Sequence, residues 1–210
     1  LTNIANCYLK QKNPEKAFEV NAVSVSNIAK LCKKNNITLI HTSTNAVFDG
    51  KKGDFYFESD YPNPQTIYAI SKYAGELCAQ NGIPSHYIVR LPKLFGPRRN
   101  LGSDFTEKII KKMKTEKELK IADDRFDPFT YSVHAARKML ELVQNSAEFG
   151  IYHITNQGSV SYYEFVCELA EKLGYSGKVT RCKDRDLKSL YPNPLKTELG
   201  SKKIFDMPLW

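Results

Sequence analysis

Two apolar segments flanking a helical one constrain the fold of this chain most. Residues 37–43 and 85–91 are rich in Ile, Leu, Val and Thr, and both predict buried strands. Residues 65–81 between them predict a helix that stops near Asn81-Gly82, and residues 14–35 predict another before them. Strands that alternate with helices are typical of βαβ units. The sequence therefore predicts an α/β fold with a parallel sheet.

The character of the chain changes after Gly96-Pro97. Shorter elements follow, and the Lys- and Pro-rich last 35 residues predict irregular structure. We expect residues 1–100 to belong to the parallel sheet and residues 101–210 mainly to a smaller α/β lobe beside it. In this second part we predict helices at 103–115, 132–144 and 161–173, and strands at 118–122 and 150–155.

A proton-transfer site is predicted where Thr44 closes the first strand and Tyr68 and Lys72 follow on the next helix. Residues four apart share a helix face, so the phenol and the ammonium project together. A nearby ammonium favours the phenolate and lowers the pKa of the phenol. Tyr68 could then exchange a proton with a carbonyl oxygen, which Thr44 would hold by a hydrogen bond.

The spacing of Tyr and Lys alone does not identify this site, because Tyr8 and Lys12 have the same spacing. No strand ending in Ser or Thr precedes Tyr8, so we interpret that pair as a coincidence. The copy at Tyr68 follows a strand and a long loop, residues 45–64, of the kind that is usually functional in a compact domain. We therefore assign the chemistry to Tyr68 and Lys72.

Composition narrows the class of protein further. The net charge is +8, but many lysines fall on the polar side of the predicted helix 103–115, which disfavours a nucleic-acid patch. The five cysteines are scattered, and the sequence has no Cys-x-x-Cys motif, which predicts a protein of the reducing cytoplasm. The four histidines are equally scattered, so no metal site is expected. No apolar stretch of membrane-spanning length occurs in the sequence, and no membrane partner is expected.

A series of further motifs follows one family pattern along nearly the whole chain. It resembles the extended short-chain dehydrogenase/reductase superfamily, and within it dTDP-4-dehydrorhamnose reductase and related nucleotide-sugar 4-ketoreductases. This resemblance implies a Rossmann-type sheet with a small C-terminal substrate lobe. The motifs that carry it are Asn13-Pro14-Glu15, Val47-Phe48-Asp49-Gly50, Tyr56-Phe57-Glu58-Ser59-Asp60, Tyr68 to Lys72, Gly75-Glu76, Arg90 to Gly96, Asp123-Asp124-Arg125, Tyr152-His153, Ser161 to Phe165 and Pro208-Leu209-Trp210.

By this resemblance the protein would reduce a nucleotide-linked 4-keto-6-deoxy sugar with NADP(H) or NAD(H), in deoxysugar synthesis for surface glycans. It would be cytoplasmic and could form a homodimer. Asn21 would be the helix asparagine found behind the lysine, or else a helix cap. The implied catalytic residues are Thr44, Tyr68 and Lys72; the implied cofactor contacts are Ser43, Tyr68, Lys72, Leu91 and Pro92; the implied substrate contacts are Thr44, Asn45, Lys93 and Arg125.

Several positions depart from the family pattern around the sugar pocket. Asn45-Ala46 replaces an Asp-Tyr pair, Lys93 stands where a Trp is expected, and Asp127 replaces a Gly. These changes leave the reaction type in place and weaken the assignment to the rhamnose precursor. An epimerase of the same superfamily, and a non-catalytic subunit like the regulatory subunit of methionine adenosyltransferase, remain alternatives.

The sequence contains no glycine-rich turn of the kind that holds the pyrophosphate of a dinucleotide. Its first glycine is Gly50, which falls after the first predicted strand. We therefore expect the chain to lack the N-terminal βαβ units of such a fold.

Overall fold

The computed structural model describes residues 13–97, 104–187 and 194–209. In these ranges a π-helical turn, Glu19–Val23, joins the first two helices, and 3-10 turns cover Asn45–Val47 and Asp184–Leu187. The α-helices are α1 (Pro14–Phe18), α2 (Ser24–Lys34), α3 (Ile67–Gly82), α4 (Phe105–Thr115), α5 (Ser132–Gln144) and α6 (Tyr162–Lys172). The strands are β1 (Leu39–Thr44), β2 (His86–Leu91), β3 (Leu94–Phe95), β4 (Glu118–Ala122), β5 (Phe126–Asp127), β6 (Thr130–Tyr131), β7 (Gly150–His153), β8 (Val160–Ser161) and β9 (Lys178–Cys182).

The central sheet has the order β1-β2-β7, and both pairs of strands are parallel. Thr44 lies opposite Leu91, and Arg90 lies opposite His153, so all three strands end at the same edge. The predicted α/β fold with a parallel sheet is confirmed. β7 comes from beyond residue 100, so the sheet draws on both parts of the chain, and the division at residue 100 stays a prediction.

Helices cover both faces of this sheet. On one face Ala29 of α2 and Ala79 of α3 pack against Leu39 and Ile88. On the other face Leu142 of α5 joins a cluster that includes other residues of the sheet, namely Tyr87, Val89, Leu91 and Tyr152. This layered arrangement explains why the strands are apolar on both faces and why the sequence shows them as continuous apolar runs.

A second core forms the smaller lobe. α4 and α6 contribute Ile109 and Phe165, and β4 contributes Leu119 and Ile121. Phe129 stacks on Phe165 with the ring centroids 3.8 Å apart. On α4 Ile109 is buried while the lysines are exposed, in agreement with the solvated polar face predicted for this helix.

The prediction of irregular structure after residue 175 is wrong for β9, which pairs in parallel with β4 from Lys178 to Cys182. Lys178 and Arg181 are exposed and break the apolar pattern, as charges commonly do on edge strands. Pairing with a distant strand, rather than local pattern, makes this segment extended. The pair Tyr8 and Lys12 lies outside the described residues, as does residue 103 at the predicted start of α4.

Candidate active site

The carboxyl ends of β1 and β2 form the edge where the predicted site residues gather. Thr44 and Leu91 are the last residues of their strands, are paired in register, and are nearly buried. The hydroxyl oxygen of Thr44 accepts a hydrogen bond from the backbone N–H of Ala46 (3.2 Å) and starts the 3-10 turn. Ligands of open parallel α/β sheets bind outside this edge. Pro92 is buried directly after Leu91.

Helix α3 brings Tyr68 and Lys72 to this edge. Thr66 caps the helix by accepting from the backbone N–H of Ala69 (3.2 Å), so Tyr68 falls in the first turn. Lys72 follows one turn later on the same face and is only 6% exposed. Its ammonium donates to the carbonyl oxygen of Thr42 at 2.5 Å, which joins the helix to β1 two residues before Thr44. The structure thus brings the helix face of Tyr68 and Lys72 against the strand that ends in Thr44.

Asn21 lies behind this helix, inside the π-helical turn and not at a helix end. The capping alternative for Asn21 is therefore wrong. Its amide donates to the hydroxyl of Ser71 (2.8 Å), and that hydroxyl donates to the carbonyl of Tyr68 (2.9 Å). A Cβ placed on Gly75 would come within 2.1 Å of the carbonyl oxygen of Asn21, so only glycine allows this helix crossing.

A buried ion pair lies beneath the site. Arg90 of β2 donates from Nη2 (2.7 Å) and Nε (3.0 Å) to the carboxylate of Glu76 on α3. Both side chains are at most 2% exposed. Ser43 also donates to Glu76, so its hydroxyl faces the interior of the protein. A contact between Ser43 and a cofactor would therefore use its backbone.

Two buried histidines have lowered pKa values. Burial, and secondarily the Lys72 ammonium, lowers the pKa of His41 to about 3. Burial is also the main reason that the pKa of His153 is lowered to about 4, against the opposing effect of Glu58. The Nδ1 of His153 faces the carbonyls of Tyr56 (3.0 Å) and Gly200 (2.9 Å), which only accept hydrogen bonds. Its proton therefore sits on Nδ1.

The predicted substrate contacts converge on one polar cluster at the boundary with the smaller lobe. Asn45 donates to Asp127 Oδ1 (2.9 Å), and the hydroxyl of Tyr162 donates to Asp127 Oδ2 (2.9 Å). Above the Tyr162 ring lie the Arg125 guanidinium, 4.9 Å from its centroid, and the Lys93 ammonium, 5.9 Å from it. Burial raises the pKa of Asp127, and these two cations oppose that effect.

Sequence reasoning gave no role to Glu76, Asp127 or Tyr162. Glu76 and Tyr162 lie in motifs that match the family pattern, and Asp127 is a position that departs from it. Their partners are remote in sequence, so the match to a family motif, or the departure from one, was the available signal.

Within the described ranges, no helix has the length and apolar character needed to cross a membrane. The same residues contain no group of three or more His, Cys, Asp or Glu side chains that could hold a metal ion.

A parallel sheet that carries Thr, Tyr and Lys at its carboxyl edge, beside a small second lobe, defines the extended short-chain dehydrogenase/reductase class. Comparison with known families is more specific. The chain belongs to the family described as the RmlD substrate binding domain, which matches residues 9–207. The predicted family is thereby confirmed.

Individual relatives agree with this placement. The chain is 28% identical to the spore coat polysaccharide biosynthesis protein SpsK of Bacillus subtilis over 97% of this chain and 69% of that protein. It is 30% identical to the dTDP-4-dehydrorhamnose reductase of Mycolicibacterium smegmatis over 92% of this chain. The chain thus spans 59% of that reductase.

Solved structures agree in fold. A dTDP-4-dehydrorhamnose reductase from Clostridium acetobutylicum superposes with a TM-score of 0.90 at 28% identity, over 96% of this chain and 72% of that one. The enzyme of the same name from Bacillus anthracis, in complex with NADP, superposes with a TM-score of 0.91 at 25% identity, over 100% of this chain and 74% of that one. The Rossmann-type fold is confirmed.

Proposed function

We propose that this protein reduces the 4-keto group of a nucleotide-linked 6-deoxy sugar with NADPH, as a step of deoxysugar biosynthesis. The observation that carries this proposal is the contact of the Lys72 ammonium with the Thr42 carbonyl. It brings the helix of Tyr68 against the strand that ends in Thr44. Relatives named dTDP-4-dehydrorhamnose reductase support the reaction class.

The roles of the three residues follow from their chemistry. Tyr68 gives its proton to the carbonyl oxygen of the sugar as that oxygen gains negative charge. Lys72 places a positive charge one helical turn from the phenol, which favours the phenolate that remains. Thr44 positions the same oxygen through its hydroxyl, which can both donate and accept.

The residues at the sheet edge fit a nicotinamide nucleotide. A buried ammonium lies at the carboxyl ends of parallel strands, where the ribose hydroxyls of such a cofactor find a donor. Lys72 and Tyr68 would hold that ribose, and Leu91, Pro92 and the backbone of Ser43 would line the nicotinamide. The cofactor would supply the hydride that reduces the carbonyl carbon.

The cluster at the lobe boundary would receive the sugar. Lys93 and Arg125 are the cations of that cluster, and Asn45 links it to Thr44. Asn45 and Lys93 depart from the family pattern, which weakens the assignment to the rhamnose precursor, so several sugar nucleotides have to be tested. A cytoplasmic location and a homodimer stay predictions.

The test is a direct assay of the complete protein with NADPH and a series of dTDP- and UDP-linked 4-keto-6-deoxyhexoses. We expect absorbance of the reduced nicotinamide to fall with at least one of them. Tyr68→Phe should slow this by about 100-fold or more, as expected for loss of a general acid. Tyr73→Phe removes a phenol from the same helix and should leave the rate unchanged. Absence of oxidation with every sugar, together with tight binding to another enzyme, would favour the regulatory-subunit alternative.

A further inference from the structure

Asn45 connects the predicted catalytic threonine to the smaller lobe. The hydroxyl of Thr44 donates toward Asn45 Oδ1 at 3.4 Å. The amide nitrogen of Asn45 donates to Asp127 Oδ1 (2.9 Å) and to the hydroxyl of Thr197 (2.9 Å). Asp127 in turn accepts from Tyr162 of α6 (2.9 Å). A continuous chain of hydrogen bonds thus runs from the edge of the sheet to the lobe.

The chemistry of the partners fixes the orientation of the Asn45 amide. Asp127 presents a carboxylate, which can only accept when ionised, and Thr197 also presents its carbonyl oxygen, 3.3 Å from the amide nitrogen. The NH₂ group must therefore face the lobe. Its oxygen then necessarily faces Thr44, and it offers that hydroxyl an acceptor.

Asp127, at the lobe end of this series of hydrogen bonds, is buried and has charged side chains around it. Asp127 is 5% exposed, with Tyr162 on one side and the cations Lys93 and Arg125 nearby. Asp127 also acts on a second carboxyl group, that of Glu198, whose pKa is raised by burial and by Asp127. A new negative charge on Asn45 would therefore meet a buried carboxylate at hydrogen-bonding distance.

We propose that Asn45 is a positioning residue, which holds the hydroxyl of Thr44 in place because Asp127 of the smaller lobe holds Asn45. This proposal rests on the proposed reductase function. The lobe thereby sets the direction of the Thr44 hydroxyl before the sugar arrives. Asn45 acts through Thr44, and Asp127 acts through Asn45.

The decisive variant is Asn45→Asp, measured as kcat and KM across pH. Two carboxylates this close share a proton at low pH and repel each other once both are ionised at higher pH. We expect kcat to fall by about 10- to 100-fold as pH rises and the two side chains separate, because small displacements of positioning groups have effects of this order. KM for NADPH should stay within a factor of about two, since Asn45 acts on Thr44 and not on the ribose.

Exchange of the two residues provides the rescue. In Asn45→Asp/Asp127→Asn the new asparagine can donate to the new carboxylate, so most of kcat and the original pH profile should return. Asn63→Asp is the matched control. Asn63 donates to Asp49 at 3.0 Å in the loop after β1, and neither residue belongs to the series of hydrogen bonds from Thr44 to Tyr162. It creates the same kind of carboxylate pair and should leave the pH profile of kcat unchanged.

Asn45→Ala serves if Asn45→Asp does not fold. It removes the acceptor for Thr44 without adding a charge, so kcat should fall at every pH without a new pH dependence. A wild-type pH profile in folded Asn45→Asp, or no recovery in the exchanged pair, would overturn the positioning role while the wild-type activity stands. An inactive wild-type protein would instead refute the reductase function itself.

Discussion

The ammonium of Lys72 lies 2.5 Å from the carbonyl oxygen of Thr42 and joins α3 to β1. A flexible side chain is thereby anchored against rigid backbone at the strand end. His41 precedes Thr42 in β1. Its pKa is lowered to about 3 by burial and by the positive charge of Lys72. This lysine therefore acts on a buried residue of the sheet and also lies one helical turn from the predicted proton donor, Tyr68.

The first prediction concerns this charge. Lys72→Met should lower kcat by about 100-fold or more if Lys72 supports the proton transfer by Tyr68. The same variant should raise the pKa of His41, although burial will still keep it below 6.5. Titration of the ring by NMR checks this in the absence of substrate. A pKa that does not change would show that the Lys72 ammonium does not reach His41.

The second prediction concerns the helix crossing at Gly75. Gly75→Ala would place a methyl group within 2.1 Å of the Asn21 carbonyl oxygen, so the helices must separate. We expect the free energy of unfolding to fall by about 1–3 kcal/mol, with the loss measured by urea denaturation. Gln80→Ala, at an exposed position of the same helix, is the control and should change little. Equal stability of the two variants would contradict the close crossing.

The third prediction concerns the buried ion pair. Arg90→Met leaves the Glu76 carboxylate buried without its guanidinium and should lower the free energy of unfolding by about 3–5 kcal/mol. Adding Glu76→Gln should recover part of that loss, because the uncompensated charge is gone. Lys172→Met breaks the exposed pair of Lys172 with Glu168 and should cost less than about 1 kcal/mol. Similar losses in both single variants would contradict a special role for burial.

The fourth prediction is a loss of stability in acid. The pKa values of His41 and His153 are lowered to about 3 and about 4, so both rings stay neutral in the folded protein as the pH falls from 6.5 toward 4. The unfolded chain binds those protons from about pH 6.5 downward. The stabilisation is therefore complete above pH 6.5 and is lost as the pH falls toward 4.

Each histidine should contribute a slope of about 1.4 kcal/mol per pH unit in this window. His41→Leu removes one such group, and within the described residues its Nε2 has no hydrogen-bond partner to lose. The variant should therefore lose stability less steeply between pH 6.5 and 4, as measured by urea denaturation at each pH. An unchanged slope would mean that His41 is protonated in the folded protein.

Local patterns predicted the parts of the site that depend on local structure. Helical spacing placed Tyr68 and Lys72 on one face, and the apolar run before Thr44 placed it at a strand end. The link between Asn45 and Asp127 joins residues 82 positions apart, and no local pattern contains it. The same holds for β9, whose extended form depends on pairing with β4.

Polar residues inside apolar segments were harder to interpret. Glu76 follows Gly75 in a helix and Arg90 lies in an apolar strand, and neither position reveals its partner. Their pairing follows from the packing of α3 on β2, which brings together two residues 14 positions apart. Asp127 could be recognised as unusual, but its partners became evident only with the lobe in place.

The third strand of the central sheet, β7, follows part of the smaller lobe in the sequence. β2 ends at Leu91, and its second neighbour, β7, begins only at Gly150, after α4, β4 and α5. Folding of the sheet must therefore close a long loop, which is slow because distant contacts cost chain entropy before they stabilise. A fragment cut at residue 100 would leave the β2 edge open to other chains. We therefore expect the two parts to form one cooperative folding unit, and separate expression of either half to produce aggregates.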